Sequence, residues 1–169
     1  MDTAGKFQRK EAEHGFTLTE VLVTLVVIGI ILSFSLRLFV DQWRVTQEVK
    51  DRMEAHFSVL NAGRTVLDDI RGAQTVEWDN KGTLSILPWG EGASADKYYI
   101  ADKDYDGIKD LYIEHKGVPN PVASRMISWN CTKGEAGLWT VTFQAQVGRQ
   151  TVNWKGSSRQ RAFPPPADP

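Results

Sequence analysis

An α+β fold, with one long N-terminal helix packed on an antiparallel β-sheet, is predicted by two changes of pattern along the chain. Residues 16–40 are apolar apart from a few small polar residues and two charges, Glu20 and Arg37. Residues 41–72 then repeat apolar side chains at three- and four-residue steps, which is typical of an amphipathic helix. After Gly72, short alternating runs are separated by turn residues, which is typical of strands. The helix is therefore expected to have a transmembrane half and an amphipathic half.

The composition narrows the range of functions. A chain of 169 residues is large enough for one modest domain and an anchor. The net charge of -1 leaves no basic surplus to neutralise phosphates, so there is no direct signature of nucleic-acid binding. The single cysteine, Cys131, excludes an intrachain disulfide and a cysteine-based zinc cluster, and a buried thiol is expected there.

The apolar run is long enough to cross a lipid bilayer as a helix. No small-residue cleavage site follows it, so it is expected to be retained in the mature protein. Lys6, Arg9 and Lys10 precede it, which predicts a single-pass protein with residues 1–15 in the cytoplasm and the C-terminal part outside. A carboxylate such as Glu20 in lipid costs about 3 kcal/mol, which predicts a specific partner for it.

The N-terminal motif resembles a known signal. Residues 15–20 read Gly-Phe-Thr-Leu-Thr-Glu and precede the apolar run, which is similar to the start of type IV prepilins and type II secretion pseudopilins. The resemblance implies a pilin-like fold, cleavage between Gly15 and Phe16 by a prepilin peptidase, and N-methylation of Phe16. It also implies that Glu20 pairs with the amine of a neighbouring subunit. The implied partners are the peptidase, other pilins or pseudopilins, an inner-membrane assembly platform and the lipid bilayer.

Two alternatives accompany this resemblance. Glu20 is also placed to cap the N-terminus of the helix, where acids are favoured, and both roles are compatible. An ordinary signal-anchor protein with a chance match is the other alternative. The helix end at residues 67–73 is similar to the larger minor pilins and pseudopilins of the W and J types. Unlike many pilins, the chain cannot close a C-terminal loop with a disulfide.

The amphipathic stripe of residues 41–72 is predicted to pack in the core beneath the sheet. Gly63 is its weak point, and Gly72 suits a helix C-cap. The members of the stripe are Trp43, Thr46, Val49, Met53, Phe57, Leu60, Val66 or Leu67, and Ile70.

The domain at residues 73–162 is expected to form an antiparallel meander, because its strands are joined by short turns. One predicted turn is Pro119-Asn120-Pro121. The tail at residues 163–169 is expected to be disordered or to adopt polyproline II structure. The predicted strands are residues 75–78, 83–87, 97–101, 109–114, 123–129, 138–147 and 151–154.

A calcium loop is predicted at residues 102–110, which open with the pattern D-x-D-x-D-G. Its twelfth position is Ile113 instead of a bidentate acid, and the flanking segments look like paired strands. The alternative is a hairpin whose turn uses Asp and Gly for their backbone geometry. The predicted ligands are the carboxylates of Asp102, Asp104, Asp106 and Asp110 and the carbonyl of Ile108.

No enzyme motif is present, and the histidines His14, His56 and His115 are isolated in the sequence. The favoured hypothesis is a non-enzymatic minor pilin or pseudopilin of a type IV pilus, a type II secretion pseudopilus or a competence pseudopilus. The first alternative is a membrane-anchored calcium- or ligand-binding domain that does not polymerise. The second is an anchored enzyme whose site is assembled from residues distant in sequence.

Overall fold

The computed structural model describes residues 17–79, 81–90 and 92–161. Within them the chain forms one long helix followed by eight strands, and it divides into two compact units, Met1–Arg44 and Val45–Pro169. The predicted leader and the whole predicted Pro-rich tail lie outside the described residues. The elements are α1 Leu18–Gly72, β1 Ala73–Trp78, β2 Thr83–Pro88, β3 Asp96–Ala101, β4 Asp110–His115, β5 Val118–Ala123, β6 Met126–Lys133, β7 Leu138–Val147 and β8 Gln150–Arg159, with a short 3-10 turn at Glu135–Gly137.

The predicted α+β class is confirmed, but the strands form two antiparallel sheets instead of one meander. The first sheet has the order β1-β2-β3-β4-β5, and the second has the order β6-β7-β8. The predicted strand at residues 123–129 is wrong because a turn at Ser124 and Arg125 divides it. Arg125 has a positive φ of 62°, and Asp110 Oδ1 accepts hydrogen bonds from the Ser124 hydroxyl at 2.8 Å and the Arg125 N–H at 3.1 Å.

The predicted turn at Pro119-Asn120-Pro121 is instead part of strand β5. Among the described strands it pairs only with β4, so it lies at the edge of the first sheet. Proline lacks an N–H group and is tolerated in a sheet at an edge strand, which explains how two prolines fit here. The turn that precedes β5 uses Lys116 and Gly117, with φ values of 49° and 82°.

Helix α1 faces the two sheets with small side chains. Its buried residues recur at steps of three and four and are Ala55, Val59, Ala62, Gly63, Val66 and Ile70. The predicted core stripe is right for Val66 and Ile70. It is wrong for the members that are exposed, which are Trp43, Thr46, Val49, Met53, Phe57 and Leu60. Alanine and glycine let the helix approach the strands closely, so the buried face is not the one with the largest apolar residues.

The core lies between this helix face and both sheets. Along β7, buried side chains alternate with half-buried ones, as expected for a central strand. An aromatic group connects the sheets: Trp78 of β1 meets Trp129 of β6 edge to face at 4.9 Å, and Trp129 stacks on Phe143 at 5.4 Å. The Trp129 indole N–H donates to the Gly82 carbonyl at 3.0 Å, so the one polar group of this side chain has a hydrogen-bond acceptor.

Gly72 is the last residue of α1, as predicted, but it does not act as a left-handed cap. Its φ is not positive, and β1 begins at the next residue, Ala73. The helix therefore leads directly into the first sheet without a loop.

The N-terminal unit consists, within the described residues, of the helical segment from Leu18 to Arg44. Its apolar side chains are exposed, and α1 contains an apolar stretch long enough to cross a membrane. Two hydroxyls in this stretch bond to the helix itself: Thr24 donates to the Glu20 carbonyl at 2.7 Å and Ser33 to the Gly29 carbonyl at 2.8 Å. These polar groups therefore need no partner outside the helix.

Candidate functional site

The N-terminus of α1 is closed by Thr17 and Glu20. The Thr17 N–H and hydroxyl both donate to Glu20 Oε2 at 3.1 Å, and the Glu20 N–H donates to Thr17 Oγ1 at 3.3 Å. This reciprocal arrangement is a capping box, which satisfies donors that a helix start leaves unpaired. The capping alternative for Glu20 is thus present in the structure, and both contacts with its carboxylate use the same oxygen.

Thr17 is not among the site residues predicted from the sequence. The signal was present, because Thr followed three residues later by Glu, ahead of an apolar run, is the capping-box pattern. The predicted cleavage residues Gly15 and Phe16 lie outside the described residues, so the pairing of Glu20 with a neighbouring Phe16 amine stays a prediction.

A second feature is an apolar strip on the solvent side of α1, formed by Val49, Met53, Phe57 and Leu60. All four side chains are more than 40% exposed. Two shallow depressions adjoin the strip: one holds Val49, Met53 and Phe57, and the other holds Phe57, Leu60, Leu67 and Trp154. Contiguous exposed apolar patches are typical of sites where a protein binds a partner.

The acidic loop joins β3 to β4. These strands pair antiparallel, with Ala101 opposite Asp110, so the loop is the tip of a hairpin with no flanking helices, as predicted. Carboxylate oxygens of Asp102, Asp104 and Asp106 lie within 4.8 Å of one another. Three of the four predicted carboxylate ligands therefore lie close together.

Hydrogen bonds to the backbone shape this loop. Asp102 Oδ2 accepts the Gly107 N–H at 3.1 Å, and Asp106 Oδ1 accepts the Ile108 N–H at 2.7 Å. Gly107 has a φ of 81°, a value that favours glycine. Asp102 Oδ1, in contrast, is a buried oxygen with no hydrogen-bond partner among the described residues.

The fourth predicted acid, Asp110, is not part of this carboxylate cluster. Its Oδ1 accepts the hydrogen bonds from Ser124 and Arg125 that hold the turn between the two sheets. The pKa of the Tyr112 hydroxyl, at the base of the loop, is raised above its ordinary value. Burial is the largest cause, and the negative charges of Asp104 and Asp110 add to the rise. Lys103, one of two lysines in the loop, lies over the rings of Tyr99 and Tyr112 at 5.0 and 5.8 Å.

The remaining residues with potentially reactive side chains are the cysteine and the histidines. Cys131 is buried, and burial raises the pKa of its thiol to about 12, so it is not a reactive thiolate. His115 Nδ1 lies 2.5 Å from Asp96 Oδ1 at the surface, whereas His56 is exposed on α1. His14 lies outside the described residues.

The family described as the prokaryotic N-terminal methylation motif matches residues 12–36. The matched segment contains the predicted cleavage residues, Glu20 and the first part of the apolar stretch. No curated protein and no solved structure gave a significant match. The match confirms the resemblance to the type IV pilin and pseudopilin family, while the W or J type stays a prediction.

Proposed function

We propose that the protein is a minor pilin or pseudopilin, a structural subunit of a type IV pilus, a type II secretion pseudopilus or a competence pseudopilus. The observation that carries this proposal is the methylation motif at residues 12–36, located at the start of a helix that can cross a membrane. The subunit is inserted in the cytoplasmic membrane, with its leader in the cytoplasm and its sheet domain outside. A prepilin peptidase cuts between Gly15 and Phe16, and the subunit then assembles with other pilins through α1 at the membrane platform.

In this proposal Glu20 has two compatible roles. Its Oε2 accepts the hydrogen bonds from Thr17 that close the helix, and its charge pairs with the Phe16 amine of a neighbouring subunit. Opposite charges attract much more strongly in a medium of low dielectric constant than in water. A carboxylate that would be costly alone in lipid is therefore stabilised only in the correct register between subunits.

The two roles are separated by substitutions at Thr17 and Glu20. Glu20→Gln keeps the capping pattern, because glutamine also closes a capping box, but it removes the charge. Thr17→Val removes the hydroxyl and keeps the charge. When the native gene is replaced by each variant, we expect Glu20→Gln to be lost from the sheared fibre fraction and Thr17→Val to be retained there.

Membrane insertion of each variant is measured in parallel, so that lost assembly is distinguished from lost protein. Glu48→Gln, which changes another exposed glutamate of α1, is the matched control and should leave incorporation unchanged. Normal incorporation of Glu20→Gln would contradict the pairing role. If neither the variants nor the unsubstituted chain entered the fibre fraction, the result would favour a membrane-anchored domain that does not polymerise.

We also propose that the loop at residues 102–110 binds Ca²⁺. Three clustered carboxylates and a buried, unpartnered oxygen on Asp102 support this site, because Ca²⁺ prefers oxygen ligands and would supply the missing partner. Asp102, Asp104 and Asp106 would hold the ion, with the Ile108 carbonyl as a further ligand and Asp110 as an outer residue. The bound ion would order the hairpin tip outside the membrane.

Calcium binding is tested by thermal unfolding of the full chain in detergent. A ligand at a hundred times its dissociation constant stabilises the folded state by about 2.7 kcal/mol, so added Ca²⁺ should raise Tm and a chelator should reverse the change. The combined Asp104→Asn and Asp106→Asn variant should lose the response, whereas Glu135→Gln in another exposed turn should keep it. The absence of a Ca²⁺-dependent change in the unsubstituted chain would contradict the site.

A further inference from the structure

Strand β8 is an edge of the second sheet, and its outer backbone groups have no partner among the described residues. It pairs with β7 over all of its ten residues. No other backbone hydrogen bond joins residues 150–159 to the rest of the described chain. In an antiparallel sheet, about half of the N–H and C=O groups of an edge strand point away from its neighbour. The outer edge of β8 can therefore pair with one more strand.

Helix α1 packs on one face of β8. Trp154 lies against Gly63 of the helix, and Gly156 lies against Leu67. The two strand residues are two positions apart, so they point to the same face of the sheet. Lys155 lies between them and is exposed on the opposite face. A strand added at this edge would therefore meet α1 with one face and solvent with the other.

On the helix side, a groove with a volume of about 500 Å³ is available to side chains of such a strand. Its apolar wall is formed by Leu60 and Leu67 of α1 and by the half-buried ring of Trp154. Leu60 and Leu67 are about 10 Å apart along the helix. Alternate side chains of a strand are about 7 Å apart. Two successive apolar side chains on one face of an added strand thus match the length of the groove.

The solvent side of β8 is basic. Lys155 and Arg159 are exposed there, and neither forms an ion pair with another described residue. The strand contains no acid, so its own side chains do not balance these charges. Opposite charges on neighbouring strands stabilise a sheet. Acidic side chains on the solvent face of an added strand would therefore complement Lys155 and Arg159.

The same charges argue against a second copy of β8 as the added strand. Lys155 lies near the middle of β8, so two copies paired antiparallel along their full length would bring their Lys155 side chains opposite or diagonal to each other. Like charges on neighbouring strands are destabilising, and lysine on an edge strand is a common device against pairing of identical edges. The charge pattern therefore favours a strand from a different, acidic chain.

We propose that the outer edge of β8 binds an extended segment of a partner protein in which apolar residues alternate with acidic ones. The segment pairs with the backbone of β8, places its apolar side chains in the groove against α1, and directs its acids to Lys155 and Arg159. In strand addition of this kind, the backbone supplies affinity and the alternate side chains supply specificity. The site lies in the sheet domain and does not depend on the cleavage or assembly of α1.

The proposal is tested with a dye-labelled synthetic peptide in which valine and glutamate alternate over ten residues, the length of β8. Its binding to the full chain in detergent is measured by fluorescence anisotropy, and we expect saturable binding. Lys155→Glu should weaken it by about tenfold, because attraction is replaced by repulsion, and the same variant should gain binding to a peptide of alternating valine and lysine. Leu60→Glu in the groove should also weaken binding of the acidic peptide. Lys116→Glu, at an exposed lysine in the turn before β5, makes the same change of charge and should leave the affinity unchanged.

Hydrogen exchange distinguishes strand addition from a purely electrostatic contact. We expect the acidic peptide to slow the exchange of backbone amides within residues 150–159. Binding without this protection, equal affinity of the Lys155→Glu and Lys116→Glu variants, or no binding to the unsubstituted chain would each overturn the proposal. Protection of these amides that is present without peptide and disappears on dilution of the chain would assign the edge to a second copy and would also overturn it.

Discussion

Gly63 is the residue of α1 that packs directly against the ring of Trp154 in strand β8. A methyl group added to its Cα would overlap the ring of Trp154, which also lies against Gly156. The centroid of this ring is 6.1 Å from that of Phe143, and the two ring planes are tilted by 37°. The sequence indicated Gly63 only as a weak point of the helix, because glycine has a low helix propensity. Its packing role could not be predicted, since Trp154 is distant in sequence.

Gly63→Ala should therefore destabilise the protein, although alanine favours helices. Overpacking of a core costs about 1–3 kcal/mol, which should appear as a lower free energy of unfolding in detergent. Gly72→Ala in the same helix is the matched control, because an added Cβ there meets no atom within 4 Å. Equal stability of the two variants would contradict the close contact with Trp154.

Asp69 provides a second test at the level of single residues. Its carboxylate accepts the hydrogen bond of the buried Tyr98 hydroxyl. Burial raises the pKa of Asp69 above its ordinary value of 3.8; the bond from Tyr98 opposes the rise, and the charges of Asp96 and Asp68 add to it. The folded state thus favours the protonated carboxyl.

A raised pKa in the folded state means that the contribution of Asp69 to stability is present below pH 3.8 and is lost as pH rises through the raised value. Asp69→Asn cannot ionise, so its free energy of unfolding should fall less than that of the unsubstituted chain over this interval. Denaturant unfolding at several pH values measures the difference.

Asp79 serves as the control of opposite sign for this pH series. Backbone hydrogen bonds from Thr83 and Lys81 lower the pKa of its carboxyl, so its contribution is lost as pH falls through the lowered value. Asp79→Asn should not reduce the loss of stability on raising the pH. An identical slope for Asp69→Asn and the unsubstituted chain would contradict the assignment of Asp69.

Among the elements, α1 and the paired strands around the acidic loop were predictable from local pattern. The apolar run, the helical repeat and the Asp-Gly turn are signals within a few residues of one another. The buried face of α1 was not predictable in this way, because it depends on contacts with the sheets. The small residues Ala55 and Ala62 lie against the strands, whereas the larger Met53 is exposed. The division into two sheets depends on hydrogen bonds of Asp110 to Ser124 and Arg125, which sequence spacing does not reveal.

The orientation of α1 on the sheets can be tested by two serine substitutions. Val59 is fully buried and Met53 is 68% exposed. Val59→Ser should lower the free energy of unfolding by about 1–3 kcal/mol, because a hydroxyl is buried and packing is lost. Met53→Ser should change it by less than about 0.5 kcal/mol. A larger effect at Met53 would show that the opposite face of the helix is buried.

At the scale of the whole molecule, the chain combines a helix that is long and apolar enough to cross a membrane with a sheet domain that has its own core. The motif at residues 12–36 supports a structural subunit of the pilin and pseudopilin class rather than an enzyme. The sequence predicted this class because the signal is local and short. The sequence could not predict the depression beside Trp154, because this depression forms only where strand β8 packs against α1.

The most direct test of the proposed function is the mass of the mature protein after co-expression with a prepilin peptidase. We expect a chain that begins at Phe16, carries one methyl group on its amine and has lost residues 1–15. A Gly15→Val variant is the control and should remain uncut. An unsubstituted chain that still begins at Met1 in the presence of an active peptidase would contradict the account.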